Sequence, residues 1–202
     1  MQMMKKISLL FLTLLFLAGC QTNHVADNTA SDVNGVKDWF AAEEPNYDIV
    51  DINAVKDGVY ILLTTFTPPG VAEDSYTMVR AYVVSISDDG YGIETLEDAY
   101  GPGSIGFSAE LLSTDEVTVL FGDLGSAVYD FTADAIKNVS FSEVIAKLSD
   151  GEEISTPVKN NTPYIIVMDA GIEISDVIFR TENEDILYSD CYNESLEESA
   201  RE

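Results

Sequence analysis

The sequence predicts a mainly β protein, an antiparallel β-sandwich or barrel-like body with one short N-terminal helix. Three observations carry that prediction. Short β-branched and aromatic runs such as VYILLTTF and YIIVMD recur along the chain. Turn triplets ending in glycine fall between them: Lys56-Asp57-Gly58, Asp88-Asp89-Gly90, Ser149-Asp150-Gly151 and Asp169-Ala170-Gly171. No apolar stripe of helical period is long enough to cover a sheet as crossover helices do, which disfavours a doubly wound α/β fold.

The chain opens with Lys5 and Lys6, then an apolar run from Ile7 to Leu17, then small residues, which is the order of parts in an export signal. A membrane-spanning helix needs roughly 20 apolar residues. This run is shorter and turns polar at Gln21, so a cleaved signal is expected rather than a permanent span.

At its end stands Leu17-Ala18-Gly19-Cys20, which resembles the lipobox of bacterial lipoprotein precursors and lies where that family has it. The resemblance covers little more than these first 20 residues. It implies cleavage between Gly19 and Cys20, a diacylglyceryl thioether on the Cys20 sulfur, and Cys20 as the first mature residue. Two acyl chains give stable anchoring, since each buried methylene contributes about 0.8 kcal/mol. The expected location is therefore the extracytoplasmic face of the cell membrane, held by lipid.

Residues 21–34 are polar and read as a tether, spanning roughly 20 Å root mean square if flexible. Val36, Trp39 and Phe40 then fall at i, i+3 and i+4. VKDWFAAEE is thus expected to be a short amphipathic helix starting near Asp32 or Asn34 and ending by Pro45. YDIVDINAV and VYILLTTF flank the first turn triplet as a hairpin, and TMVRAYVVSI and YGIETLED flank the second. IGFSAELL and EVTVLFG flank Ser113-Thr114-Asp115, and NVSFSEVIAKL and EEISTPV flank Ser149-Asp150-Gly151. PYIIVMD and SDVIFRT flank Asp169-Ala170-Gly171, with ILY last, for about eleven strands in all.

The expected division is a signal at 1–19, a lipidated cysteine and linker at 20–34, a β domain at 35–190 and an acidic tail at 191–202. The turn-rich stretch GDLGSAVYDFTAD, 122–134, is the candidate subdivision of the β domain. The order from Ser149-Asp150-Gly151 through EEIS and PYIIVMD to ISDVIFRTENEDI resembles the terminal β module of uncharacterised Gram-positive envelope lipoproteins. That resemblance implies a β-sandwich and a surface location, and carries no catalytic residue over.

Charge narrows the partners. With 36 acidic against 10 basic residues the net charge is −26, so nucleic acid, which is bound through clustered Lys and Arg, is not an expected partner. An anionic membrane surface would repel this body as well, leaving attachment to the lipid. Only Cys20 and Cys191 are present, so an acylated Cys20 leaves Cys191 without an intramolecular disulfide partner.

Motifs for chemistry are few. Gly101-Pro102-Gly103-Ser104-Ile105-Gly106 satisfies G-x-G-x-x-G, but FSAELL after it reads as strand where a dinucleotide site needs a helix. Asp32, Asn34, Asp38 and Glu43 match oxygen-ligand positions of a calcium loop, but Val36 and Lys37 stand where a ligand and a glycine belong. Converging turn carboxylates, Asp88 and Asp89 with Asp150, Glu152 and Glu153, are a looser calcium candidate. The sole histidine, His24, lies in the tether, so neither a Ser-His-Asp triad nor a His-bearing zinc site is expected. Asn138, Asn160 and Asn193 begin glycan-acceptor triplets, a coincidence in a bacterial lipoprotein.

No catalytic residue, metal or cofactor is therefore expected. The expected function is non-enzymatic: binding of an envelope protein or an extracellular ligand. A carboxylate-based hydrolase and a calcium-dependent module are the alternatives. Trp39, Tyr91 and Tyr100 are the aromatics that a concave binding surface would gather.

Overall fold

The computed structural model describes residues 29–68, 77–99, 105–130, 133–183 and 185–187. Gly19 and Cys20, His24, Tyr100, Cys191 and Asn193 lie outside the described residues.

Helix α1 (Thr29–Glu43) is followed by strands β1 (Asp48–Lys56), β2 (Val59–Phe66), β3 (Met78–Ser87), β4 (Gly90–Ala99), β5 (Glu110–Ser113), β6 (Val117–Gly122) and β7 (Ala127–Asp130). Then come β8 (Ala135–Asn138), β9 (Phe141–Leu148), β10 (Glu153–Pro157), β11 (Tyr164–Asp169), β12 (Ile174–Thr181) and β13 (Asp185–Leu187). The first sheet is the meander β1-β2-β3-β4, the central sheet has the order β11-β6-β5, and the third has the order β10-β9-β12-β13. β7 and β8 form a separate ribbon. All paired strands are antiparallel. Among the described residues the body is therefore mainly β with one short helix, as expected. The barrel alternative is corrected: among the described residues every sheet keeps two open edges.

Side-chain alternation explains the layering. β2 reads VYILLTTF with no polar residue in its first five positions because both faces are covered. Val59, Ile61 and Leu63 meet Val117, Val119 and Phe121 of β6, while Tyr60 and Leu62 face Val36 and Phe40 of α1. β6 is buried at all six positions for the same reason. Its Leu120 turns the other way, toward Val144, Ala146, Val177 and Phe179 of the third sheet. The order of layers is helix, first sheet, central sheet, third sheet. Each wholly buried side chain such as Phe121 contributes about 1.5–3 kcal/mol by leaving water.

The turn triplets do their expected work at Gly58 (φ 75°) and Gly151 (φ 91°), which adopt the backbone that tight turns require. Asp169-Ala170-Gly171 behaves differently. The strands on its two sides do not pair: β11 joins β6 and β12 joins β9, so this turn carries the chain from the central sheet to the third.

Two boundaries move. The helix reaches back to Thr29, into the stretch expected to be linker, because Val33 adds a turn to the apolar stripe of Val36 and Phe40 and packs on the first sheet. The turn-rich stretch 122–134 contains β7, and the central sheet draws β5 and β6 from before it and β11 from after it. Gly122 itself ends β6, where a Cβ would run into the Ser108 carbonyl and come within 3.0 Å of Tyr164 Oη. That hydroxyl donates to the Ser108 carbonyl at 2.8 Å, so the glycine lets three segments close on one another. No helix among the described residues is long and apolar enough to cross a membrane.

Candidate functional site

On the helix-side face of the first sheet, register places Thr64, Arg80 and Asp98 side by side across β2, β3 and β4. Arg80 Nη2 donates to Asp98 Oδ2 at 2.7 Å and Arg80 Nε donates to Asp98 Oδ1, a bidentate pair. Nη1 donates to Tyr47 Oη at 2.6 Å and Tyr82 Oη at 3.3 Å. The guanidinium carbon lies 5.1 Å from the Tyr47 ring centroid, 5.0 Å from Phe66 and 5.8 Å from Tyr82, so the cation is held among three rings.

The hydrogen bond to Asp98 holds Arg80 even further above its already high pKa, with burial opposing. Burial pushes the Tyr82 phenol up, and Arg80 opposes that rise. Both groups are therefore fixed in charge over the working range: Arg80 cationic, Tyr82 neutral.

Beside this cluster opens a cleft of about 540 Å³, lined by Asn46, Tyr47, Asp48, Thr65, Phe66 and Thr67, with Thr77 opposite. Ring edges next to short hydroxyl and amide side chains, with the Asp48 carboxylate beside them, suit a neutral or cationic polar molecule with an apolar face. Among the described residues the lining contains no cation, histidine, thiol or second carboxylate. This cleft can bind and orient.

A second cleft, of about 280 Å³, gathers Glu94, Asp115 and Glu116 around Ser85 and Thr114. Glu116 Oε1 pairs with Lys56 Nζ at 2.5 Å, and Ser85 Oγ donates to Glu94 Oε1 at 2.5 Å. Outside the cleft lining, burial raises the Glu110 carboxyl and the Glu97 charge adds to the rise. Burial likewise raises Asp123, opposed by the Leu124 N–H that its carboxylate accepts.

The residues singled out in sequence are mostly dispersed. Trp39 and Tyr91 do come together, stacked with centroids 5.4 Å apart, but both are half-buried and pack the helix onto the sheet. Asp32, Asn34, Asp38 and Glu43 lie on α1, not in a loop. At 3.6 residues per turn Asp32 and Asn34 point to opposite sides, which corrects the calcium-loop match. Asp88 and Asp89 turn at the end of the first sheet, whereas Asp150, Glu152 and Glu153 belong to the β9–β10 turn of the third. Among the described residues no group of three acidic, histidine or cysteine side chains is placed to hold a metal ion. Gly101 to Ser104 lie outside the described residues; Ile105 and Gly106 lead through single bridges into β5, without a helix. Asn160 uses its side chain internally, accepting from Phe141 N at 2.8 Å and donating to Val139 O at 2.6 Å.

The Arg80–Asp98 pair escaped sequence reasoning. Counting outward from the Asp88-Asp89 turn sets Arg80 opposite Glu97. Only the register shift between Val83 and Val84 brings Asp98 into place instead. Comparison of the chain with protein-family models, with curated proteins and with solved structures returns no match.

Proposed function

We propose that this protein is a membrane-anchored extracytoplasmic lipoprotein whose β body is a non-enzymatic binding module for an envelope component or an extracellular ligand. The observation that carries it is Leu17-Ala18-Gly19-Cys20 behind Lys5, Lys6 and the apolar run. The aromatic and hydroxyl lining of the Tyr47–Phe66 cleft supports binding over catalysis, since its one carboxylate, Asp48, has no second acid or base beside it among the lining residues.

The test is metabolic labelling with a radioactive fatty acid, followed by membrane fractionation. The wild-type chain takes up label, stays with membranes and begins at a modified Cys20. Cys20→Ala loses the label. A wild-type chain with an intact signal and an unacylated Cys20 overturns the proposal.

A carboxylate hydrolase is the second reading, favoured by the cleft that holds Glu94, Asp115 and Glu116. Turnover of nitrophenyl glycosides abolished by Glu94→Gln or Asp115→Asn would establish it, and an inert wild-type chain removes it.

A further inference from the structure

Among the described residues the two outer sheets have four strands each, and the central sheet between them has three. The shortfall is on one flank. There the first sheet ends on β1, the central sheet on β11 and the third on β10, with β10 lying against β11. A cleft of about 440 Å³ opens at this flank, with Val50 and Leu63 from the first sheet, Pro157 and Val158 at the end of β10, and Tyr164 and Ile165 from β11.

β11 is prepared to accept a neighbour. Ile166 and Met168 are buried against the third sheet, and Ile165 and Val167 pack toward the first, so the strand is clamped on both faces. Among the described residues no strand pairs with its other edge, and alternate N–H and C=O groups along that edge point away from β6. β1 is blunted by contrast. It carries register shifts at Ile49/Asp51 and Ala54/Lys56, and the Asp51 carboxylate accepts the Ile52 N–H and the Asn53 amide.

We propose that the slot beside β11 takes an extended peptide segment of a partner protein as a fourth central strand. This rests on the reading of the body as a binding module and names what it binds. Main-chain hydrogen bonds to β11 supply the attachment. Side chains on one face of the added strand meet Val50 and Leu63, and those on the other meet Pro157 and Val158, so the middle of the segment is apolar on both faces. Against a chain of net charge −26, with Asp51 and Lys159 the charged residues of the lining, its flanking positions are neutral or basic.

The test follows amide hydrogen exchange of the full chain in detergent micelles with the blocked hexapeptide KTVVVK, apolar on both faces at its centre, at millimolar concentration. Exchange at Tyr164–Asp169 is expected to slow by about tenfold or more. The same peptide N-methylated at alternate residues gives no protection. Val50→Lys, at a position already 45% exposed, weakens binding by about tenfold.

Unchanged exchange along β11 overturns the proposal. So does protection confined to β1 or β4, or protection that grows with protein concentration alone, which would mark a second copy as the occupant. An acylated Cys20 with an unresponsive β11 sinks the slot and leaves the lipid anchor standing. A peptide that protects the Tyr47–Phe66 cleft instead sinks the slot and leaves the binding module standing.

Discussion

Removing the Asp98 carboxylate would leave the Arg80 guanidinium, only 18% exposed, among three rings with no anion to answer its charge. Asp98→Ala is expected to lower stability by about 2–3 kcal/mol, somewhat less than a fully buried pair loses, because Asp98 itself is 31% exposed. The urea midpoint reads this directly. Replacing both partners, Arg80→Met with Asp98→Leu, is expected to recover most of the loss, because no unpaired charge then remains. An unchanged midpoint in Asp98→Ala would show the pair to be solvated.

At the scale of elements, α1 is fixed by one close approach. Tyr91 stacks on Trp39, and its hydroxyl lies where a Cβ on Gly35 would be, so glycine is needed one turn before the tryptophan. Gly35→Ala ought to gain about 1 kcal/mol of helix propensity. It is expected instead to destabilise by about 1 kcal/mol, because the Tyr91 ring must leave its stack to make room. In a Tyr91→Phe background the obstacle is gone, and the same change should stabilise by about 1 kcal/mol. Thermal melts of the three variants decide it.

Much of this level was legible in sequence. Asp57-Gly58 and Asp150-Gly151 close the hairpins they announce, since a residue type that tolerates positive φ marks the turn directly. Three features were not. The start of α1 depends on Val33 finding the first sheet. The Asp169-Ala170-Gly171 turn looks like any hairpin turn, although its strands part to different sheets. Gly122 reads as the start of a turn when its smallness serves packing against Ser108. Each depends on a partner far away in the chain, which local pattern does not encode. The same holds for the candidate site. Tyr47, just before β1, and Phe66 and Arg80 within strands are unremarked until register and layering bring them together, and the Val83/Val84 shift that selects Asp98 leaves no mark in composition.

For the whole molecule, pH dependence follows from two carboxyls that burial holds above their ordinary range, Glu110, with Glu97 adding to its rise, and Asp123. Their folded pKa values exceed the unfolded ones, so the folded state binds more protons in the interval between. The stabilisation is fully present below the unfolded value and is lost as pH rises through the folded one. Mutual repulsion among 36 acidic residues acts in the same direction. The Tm is expected to fall as pH rises above the ordinary carboxylate range, and Glu110→Gln to flatten the fall. A Tm that rises over the same pH change contradicts the assignment.

The placement of β11 in the central sheet also sets a timetable. The first sheet is contiguous in sequence, from Asp48 to Ala99, yet the layer that covers its inner face needs β6, and β6 is paired on both sides only when β11, ending at Asp169, arrives. Pairing across such sequence separations makes for slow folding, because loop closure comes before the contacts that reward it. The emerging chain therefore carries a meander with one bare face until nearly all of it has appeared. On the proposed reading as an exported lipoprotein, that delay keeps the chain open for threading, and the step that locks the body comes last.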